Sequence, residues 1–516
     1  MIASPEPSRA ERLLSRCAEL EQRLSKQVWL LATLAAIVFF AGSIATDISR
    51  PFWYDELFTR YISRLDSPAL IWQALKMSVD NQPFPFYVIS HYSQRVFGDN
   101  AFAIRFPGTL GFAVMSVCIY VFTRVRTNRL YAMGAALFPF SSGALYYATE
   151  GRPYGIELGF CGLMLVSWQA ACGSRYRRLA IAGLAVSVAG AVSSHYLAVL
   201  LLIPIGVGEL ARTAMRRRWD LAIWAALLTG LTPLLAYLPL LHATQVYKAN
   251  FWAPPSFKAF VECYQWLQTP ALVPALVVAF VLATASSRGK LAAGLEPAAR
   301  VPLYEGVAVA AFILLPVYQA AISPVTGVLL ARYALGIVAG AAILFGFGFY
   351  RAGRSSAGVA LAFLATMAVA FAIGELHNLM PYPPLREVTV RSLIEKTADS
   401  GLPVVVTEAQ DFLDAWDLED DAGKHRLAYI VNDGKTGSAA RPSSDDIELP
   451  RLQQIVPLPV FGPDEFLRLH HTFLVAELEP RWLIRYLLAR GAKVTLDRKD
   501  YPLIRVEMGQ SEMGKP

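Results

Sequence analysis

Two adjacent carboxylates, Asp55 and Glu56, stand in the run Phe-Trp-Tyr-Asp-Glu-Leu-Phe. They follow the first long apolar stretch, which begins near Val28, within ten residues of its end. Acidic side chains at the rim of a bilayer are costly to desolvate, so they usually have a function. A carboxylate in this position can act as a general base or bind a cation. The pair is therefore the first candidate for a catalytic site.

Further polar residues cluster at the ends of later apolar stretches. They are Asp80 with Gln82, Glu150 with Arg152 and Tyr154, His195 with Tyr196, and Arg332 with Tyr333. Arginine at a helix end binds phosphate through parallel hydrogen bonds, and Tyr and His orient a substrate by hydrogen bonding. On one side of a membrane, this set suits a sugar-phosphate donor that is attacked by a hydroxyl. The base would deprotonate the acceptor, and the arginines would stabilise the departing phosphate.

The elements that must position these residues are membrane-spanning helices. The chain has 516 residues, of which 55% are hydrophobic and 17% charged, whereas soluble proteins carry about 25% charged residues. Apolar stretches near the length of a bilayer span recur between residues 28 and 373. We predict eleven spans, beginning near Val28, Ala101, Leu130, Pro153, Arg178, His195, Leu221, Ala271, Val301, Arg332 and Ala357.

Positive charge predicts the orientation of these spans. With the N-terminus in the cytoplasm, fifteen Arg and Lys residues fall in the inside loops and three in the short outside loops. The inside residues are Arg124, Arg126, Arg129, Arg175, Arg177, Arg178, Arg212, Arg216, Arg217, Arg218, Arg288, Lys290, Arg300, Arg351 and Arg354, and the outside ones are Arg152, Lys248 and Lys258. Positive charge is enriched on the cytoplasmic side of membrane proteins. An odd number of spans then places the C-terminal domain outside the cytoplasm.

Three regions follow from these patterns. Residues 1–27 form a cytoplasmic segment, residues 28–374 the transmembrane domain, and residues 375–516 a soluble external domain. The external loop 47–100 has the spacing of amphipathic helices, and the aromatic loop 242–270 fits either a headgroup belt or a lid over a lipid-linked substrate. The C-terminal region alternates strand and helix patterns, which predicts an α/β domain with a small, largely parallel sheet.

Composition also argues against a nucleic-acid partner and against a disulfide framework or a cysteine metal site. The net charge of +7 does not indicate nucleic acid as a partner, because the basic residues cluster at the ends of apolar stretches. The five cysteines have neither disulfide nor metal-ligand spacing. No cofactor is predicted with certainty; a divalent cation is left open, with Asp55, Glu56 and Glu150 as its ligands if one is used.

Several of these segments resemble, in order and spacing, motifs of the GT-C membrane glycosyltransferases. The matching segments are Trp53-Tyr54-Asp55-Glu56 (Trp-x-Asp-Glu), residues 80–87 (PPLYY), Phe97-Gly98-Asp99 with Arg105-Phe106-Pro107-Gly108 (FG…RLPS), Glu150-Gly151-Arg152-Pro153-Tyr154 (E-x-RPY) and Ser194-His195-Tyr196 (THY). The resemblance covers roughly the first 240 residues. Beyond it, only Ser323-Pro324 and Arg332-Tyr333 are similar to the family's SP…RY. Similar members include bacterial protein O-mannosyltransferases and lipid A aminoarabinose transferases.

The resemblance implies a bacterial inner-membrane enzyme that takes a sugar from a polyprenyl-phosphate-linked donor on the extracytoplasmic side. The acceptor hydroxyl would belong to a glycan, a lipid or a protein. Carried over by position, Asp55 would be the base or orient the acceptor, Glu56 and Glu150 would support the site, and Arg152 and Arg332 would contact phosphate. The other partners would be membrane lipids.

Two other classes of function remain open at this stage. A transporter or flippase for a lipid-linked sugar would favour charges near the bilayer midplane and paired, broken helices. A non-catalytic scaffold for glycan assembly would place its function in the soluble domain. The charges at one face favour an enzyme over the transporter, and the acidic pair favours an enzyme over the scaffold.

Overall fold

A computed structural model describes residues 9–173, 175–250, 253–267, 274, 277, 281, 301–353, 356–380, 390–432, 434, 443–476, 482–496 and 503–509. The chain divides into two compact units. The first unit comprises Met1–Ser49, Gln82–Leu238 and Ala253–Met380, and the second comprises Arg50–Asn81, Pro239–Trp252 and Pro381–Pro516. Parts of both predicted external loops, 47–100 and 242–270, therefore cluster with the C-terminal region, namely residues 50–81 and 242–252.

Helices dominate the described part of the chain. Up to residue 262 they are α1 (Arg9–Lys26), α2 (Val28–Ser49), α3 (Tyr54–Ser63), α4 (Pro68–Lys76), α5 (Phe84–Phe97), α6 (Ala101–Arg124), α7 (Arg129–Leu137), α8 (Tyr154–Gly173), α9 (Arg177–Ser194), α10 (Leu202–Arg216), α11 (Leu221–Thr229), α12 (Pro233–Ala236), α13 (Leu238–Ala243) and α14 (Phe257–Glu262). They continue with α15 (Leu303–Phe312), α16 (Leu315–Thr326), α17 (Ile337–Ala352), α18 (Ala357–Asn378), α19 (Val390–Lys396), α20 (Ala409–Leu418), α21 (Asp421–Arg426), α22 (Asp445–Leu452), α23 (Pro463–Leu469) and α24 (Trp482–Ala489). Short 3₁₀ turns cover Phe138–Ser141, Gly143–Ala148, Tyr196–Leu201, Thr244–Asn250, Gln265–Leu267, Ala331–Ala334 and Ala398–Ser400.

Among the described residues, five helices are long and apolar enough to cross a membrane, or up to seven if each of two bent pairs is one span. The five are Val28–Ser49, Ala101–Arg124, Tyr154–Gly173, Tyr196–Arg216 and Ala357–Asn378, and each begins within one residue of a predicted span. The bent pairs, Leu221–Ala236 with Leu238–Lys248 and Leu303–Phe312 with Leu315–Thr326, correspond to two more. Most of the span predicted near Ala271 lies outside the described residues.

Two of the predicted spans are interrupted. The stretch near Leu130 forms only α7, which ends at Leu137 and gives way to 3₁₀ turns that contain Pro139 and Gly143. Proline lacks a backbone donor, and glycine costs helix stability through its backbone freedom. The stretch near Arg332 opens with the 3₁₀ turn Ala331–Ala334 before the short α17. The number of spans therefore stays a prediction.

Helices α6 and α8 cross at a glycine-lined contact in the first unit. A Cβ atom on Gly155 would overlap the backbone of Gly108, and one on Gly159 would lie 2.8 Å from the Gly111 carbonyl oxygen. Small residues allow membrane helices to approach with their backbones in contact. This crossing positions the start of α8, and with it the segment from Glu150 to Tyr154.

Buried and partly buried charges pair at several helix ends of the first unit. Arg126 donates to both oxygens of Glu305, at 2.9 and 2.5 Å, and Gln169 also donates to Glu305. Arg212 bridges Glu209 and Asp220 at 2.8 and 2.5 Å. Charges inside an apolar bundle are costly unless they are paired and hydrogen-bonded. These pairs therefore specify which helix ends meet.

The second unit is built on a six-stranded sheet in the order β3-β2-β1-β4-β6-β5. Its strands are β1 (Val404–Val406), β2 (Leu427–Ile430), β3 (Val460–Phe461), β4 (Thr472–Ala476), β5 (Lys493–Leu496) and β6 (Leu503–Glu507). The first four run parallel, but β6 pairs antiparallel with both β4 and β5. The sheet is mixed, so the expectation of a largely parallel sheet holds only for β1 to β4.

The segment 50–81 is attached to this domain by polar contacts. Arg60 Nη1 donates to both carboxylate oxygens of Asp417, at 2.6 and 2.5 Å, and the Tyr61 hydroxyl donates to the same group at 3.0 Å. The Tyr247 hydroxyl donates to the Ser78 carbonyl, which brings in the segment 239–252. The C-terminal sheet thus carries the loop that contains Asp55.

We expect Gly155→Ala to lower stability. The new methyl group overlaps the Gly108 backbone, and overpacking costs about 1–3 kcal/mol, more than the roughly 0.5–1 kcal/mol that alanine gains over glycine in a helix. The matched control is Gly348→Ala in α17, where a Cβ atom meets nothing within 4 Å. Thermal unfolding in detergent measures both; equal midpoints for the two variants would contradict the crossing described here.

Candidate functional site

The first unit brings four of the predicted site residues into one aromatic cluster. Tyr154 opens α8, His195 caps the end of α9, and Arg332 and Tyr333 occupy the 3₁₀ turn Ala331–Ala334. The His195 ring lies 4.8 Å from the Tyr333 ring and 5.6 Å from the Tyr154 ring, centroid to centroid. Residues far apart in sequence thus converge where three helical elements begin or end.

Arg332 is oriented by this cluster. Its guanidinium carbon lies 5.9 Å from the centre of the Tyr154 ring and 5.8 Å from that of Tyr333. Cations are attracted to the negative face of an aromatic ring at these distances. The two rings therefore hold a guanidinium fork in a defined direction, which suits it to bind a planar or tetrahedral oxyanion.

Glu157 belongs to the cluster and was not predicted. Its Oε2 lies 3.2 Å from His195 Nδ1, which is ion-pair distance when the imidazole is protonated. A carboxylate beside one ring nitrogen selects the tautomer and protonation state of histidine. The spacing of Tyr154 and Glu157, one helical turn apart, was the available signal, since residues at i and i+3 share a helix face.

Glu150 and Arg152 are buried in the loop before α8, with 2% and 4% of their surface exposed. The Arg152 backbone N–H donates to the Glu150 carbonyl at 2.7 Å, which closes a tight turn. Tyr147 packs edge-on against both Tyr154 and Trp266. Trp266 donates from Nε1 to the Ala331 carbonyl at 2.6 Å. This aromatic residue of the predicted loop 242–270 therefore braces the turn that carries Arg332.

Two further predicted residues, Gln82 and Tyr196, belong to the first unit. Gln82 is buried, with 4% of its surface exposed. The Tyr196 ring packs against that of Tyr237 at 6.4 Å, and the Tyr237 hydroxyl is 3.1 Å from that of Ser193. Tyr237 therefore contacts both Tyr196 and the end of α9.

The second unit contains the predicted acids Asp55, Glu56 and Asp80. Glu56 is fully buried, and its Oε2 accepts the Trp53 backbone N–H at 2.9 Å. A glutamate three residues into a helix commonly satisfies a free backbone donor at the helix start. Glu56 therefore anchors the first turn of α3 and holds its neighbour Asp55 at a defined position.

Helix α22 adds acids that the sequence did not connect to Asp55. The Tyr54 hydroxyl donates to Glu448 Oε2 at 3.1 Å. Burial, reinforced by the charges of Asp445, Asp55 and Asp80, raises the pKa of Glu448 well above its ordinary value. Burial also raises the pKa of Asp445, to about 6. The sequence signal was the acidic run that opens α22, but only the fold shows that it faces Tyr54 and Asp55.

These acids lie at the carboxyl edge of the parallel strands. Glu408 follows β1 and Asn432 follows β2, and the Asn432 backbone N–H donates to Asp446 in α22 at 2.9 Å. In α/β sheets, ligands usually bind outside the carboxyl ends of the strands, at the point where the strand order reverses. The chain reverses here at β1, between β2 and β4.

The part of the chain that the structure describes holds no group of three or more His, Cys, Asp or Glu side chains arranged for a metal ion. Asp55 and Glu56 lie in the second unit and Glu150 in the first. A cation at Asp55, Glu56 and Glu150 stays a prediction.

Comparison with known proteins adds a family and two structures. Residues 80–242 match the family described as dolichyl-phosphate-mannose-protein mannosyltransferase. Among curated protein sequences, none is significantly similar to the chain. The crystal structure of ArnT from Cupriavidus metallidurans in the apo state is 14% identical, covers 94% of this chain and 98% of its own, and superposes with a TM-score of 0.54.

The same ArnT bound to undecaprenyl phosphate is also 14% identical, with 95% of this chain and 100% of that chain covered and a TM-score of 0.51. At this identity the similarity establishes the fold. It extends over both units, including the C-terminal domain, for which the sequence offered no motif. The predicted fold class, a polytopic helical membrane protein with a C-terminal α/β region, is thereby confirmed. The chain is a multi-pass membrane protein with the fold of the GT-C glycosyltransferase superfamily.

Proposed function

We propose that this protein is a membrane glycosyltransferase that moves a sugar from a polyprenyl-phosphate-linked donor to an acceptor hydroxyl on the extracytoplasmic side. The observation that carries the proposal is the Arg332 cluster, in which aromatic rings and a histidine orient a partly buried guanidinium. The match of residues 80–242 to the mannosyltransferase family and the fold shared with an undecaprenyl-phosphate-bound ArnT support it.

The reaction assigns a role to each set of residues. Asp55 takes the proton of the acceptor hydroxyl, whose oxygen then bonds to the anomeric carbon of the donor sugar. The bond from that carbon to the phosphate oxygen breaks, and its electron pair leaves with the polyprenyl phosphate. Arg332 and Arg152 stabilise the negative charge on the leaving phosphate. His195, with Glu157 at 3.2 Å from its Nδ1, orients the sugar by hydrogen bonding.

The acids beside Asp55 serve this role best when they are neutral. An ionised Glu448 would repel the negative charge of Asp55, and burial instead favours its protonated form. A protonated Glu448 accepts the hydrogen bond of Tyr54 without adding charge. Asp55 is thereby left as the carboxylate that takes the proton.

The external side of the membrane follows from the distribution of arginines in the sequence. In that orientation the N-terminus is cytoplasmic and the C-terminal domain is periplasmic. The membrane is the bacterial inner membrane, as the resemblance to bacterial glycosyltransferases implies. The acceptor is a glycan, a lipid or a protein hydroxyl. Titration of the purified protein with a chelator tests the cation at Asp55, Glu56 and Glu150.

We expect Asp55→Asn to lower turnover by about 10²- to 10⁴-fold, the usual contribution of a general base. The change removes a proton acceptor and leaves the volume almost the same. Asp66→Asn in the same segment is the control, because Asp66 is exposed, and it should retain wild-type turnover. The assay follows transfer from a defined polyprenyl-phosphate sugar; near wild-type turnover by a well-folded Asp55→Asn protein would eliminate this role.

Arg332→Ala is expected to raise the Michaelis constant for the donor by about tenfold or more, since a charge-assisted hydrogen bond contributes roughly 1.5–3 kcal/mol. Arg332→Lys should restore only part of this loss, because lysine lacks the bidentate fork. Arg351→Ala, at an exposed position on α17, serves as the control. If only the acceptor constant rises, Arg332 anchors a helix end and does not bind phosphate.

Stability should fall as the pH rises above about 4.5, and Glu448→Gln should flatten part of that fall. The raised pKa of Glu448 means that the folded protein keeps a proton that the unfolded chain loses above its ordinary pKa of 4.5, so ionisation favours unfolding. Asp445 contributes the same trend in both proteins. The control is Glu465→Gln, an exposed position. Thermal midpoints between pH 5 and pH 8 measure the slope; identical slopes for wild type and Glu448→Gln would refute the assignment.

A further inference from the structure

A second, separate feature of the second unit is a groove of about 470 Å³, lined by residues of α3, α20, α21 and the segment 455–457. Its polar and aromatic lining consists of Arg60, Tyr61, Arg64, Trp416, Asp417 and Lys424. The volume lies within the range of roughly 300–1,000 Å³ that is typical of small-ligand pockets. None of the catalytic residues proposed above lines it.

One wall of the groove is held rigidly. Arg60 Nη1 donates to both carboxylate oxygens of Asp417, at 2.6 and 2.5 Å, and the Tyr61 hydroxyl donates to the same carboxylate at 3.0 Å. Arg60 also lies 5.0 Å from the centre of the Phe52 ring. These contacts join α3 to α20, so the groove is a fixed feature of the second unit and needs no rearrangement to form.

The other wall offers a cation and an aromatic face. Lys424 Nζ lies 5.6 Å from the centre of the Trp416 ring. Among the described residues it forms no hydrogen bond and no ion pair, and both side chains are partly exposed. With Arg60 and Arg64, the groove holds three cations against the single carboxylate of Asp417. The lining side chains therefore carry more positive than negative charge.

We propose that this groove binds an acidic saccharide as the acceptor, or the part of the acceptor that carries phosphate or carboxylate. The apolar face of a pyranose ring packs on Trp416, and Lys424 bonds an anionic substituent at its edge. The aromatic surface selects a sugar over a bare anion, and the excess of cations selects an acidic sugar over a neutral one. This inference rests on the proposed function for its link to transfer, since it names the class of acceptor.

The test measures binding to the full-length protein in detergent with trehalose 6-phosphate as the probe. Two matched ligands serve as controls: trehalose lacks the phosphate group, and inorganic phosphate lacks the sugar. We expect trehalose 6-phosphate to bind most tightly, Lys424→Glu to weaken it by about tenfold or more, and Lys424→Arg to retain binding because the positive charge is kept. Lys493→Glu on the exposed strand β5 makes the same change in net charge outside the groove and should bind as wild type does.

Three results would overturn the proposal. Inorganic phosphate could bind as tightly as trehalose 6-phosphate, the two Glu variants could weaken binding equally, or the sugar phosphate could fail to bind. Hydrolysis of the polyprenyl-phosphate sugar by the wild-type protein is measured separately. If the probe binds but no donor is consumed, the proposed glycosyltransferase function fails while the groove stands; if donor is consumed but the probe does not bind, the groove alone is wrong.

Discussion

The cost of placing a charge in an apolar environment is the constraint on which this structure depends. The buried charges Glu305, Glu209 and Arg212 are all held in hydrogen-bonded ion pairs, with Arg126 for Glu305 and with Asp220 for Arg212. Arg126 and Glu305 are 179 positions apart, so the penalty for an unpaired charge also selects the arrangement in which the end of α6 meets α15. The same constraint makes the Arg332 cluster informative. Its guanidinium carbon lies 5.9 Å from the centre of the Tyr154 ring and 5.8 Å from that of Tyr333, and the two rings orient it for the anion that our proposal assigns to it.

Glycine sets the second limit on this arrangement. At the crossing of α6 and α8, backbone atoms lie where any Cβ atom would have to be. The crossing fixes where α8 begins relative to α6. The segment Glu150 to Tyr154 leads directly into α8. A motif that looks like a short loop in the sequence is thus positioned by a packing contact between two membrane helices.

The second unit contributes more residues to the candidate site than its sequence indicates. It holds the segment 50–81, with Asp55 at the start of α3, and it surrounds Tyr54 and Asp55 with acids from α22. In our proposal, this unit therefore carries the base, Asp55. The domain would also set the electrostatic surroundings of the base, and its groove between α3 and α20 would bind the acceptor.

The sequence by itself determined the class of the protein, the positions of its long apolar helices, and several of the strands and helices of the C-terminal domain. These features depend on local composition and periodicity: the spans from Val28, Ala101 and Ala357 and the strand Lys493–Leu496 begin where the pattern places them. Tertiary structure alone decided the antiparallel insertion of β6, the pairing of His195 with Glu157, and the approach of Glu448 to Tyr54 across 394 positions. Such contacts are made by residues whose separation along the chain carries no periodic signal. They form because buried polar groups require partners, and only the packed fold determines which partner is within reach.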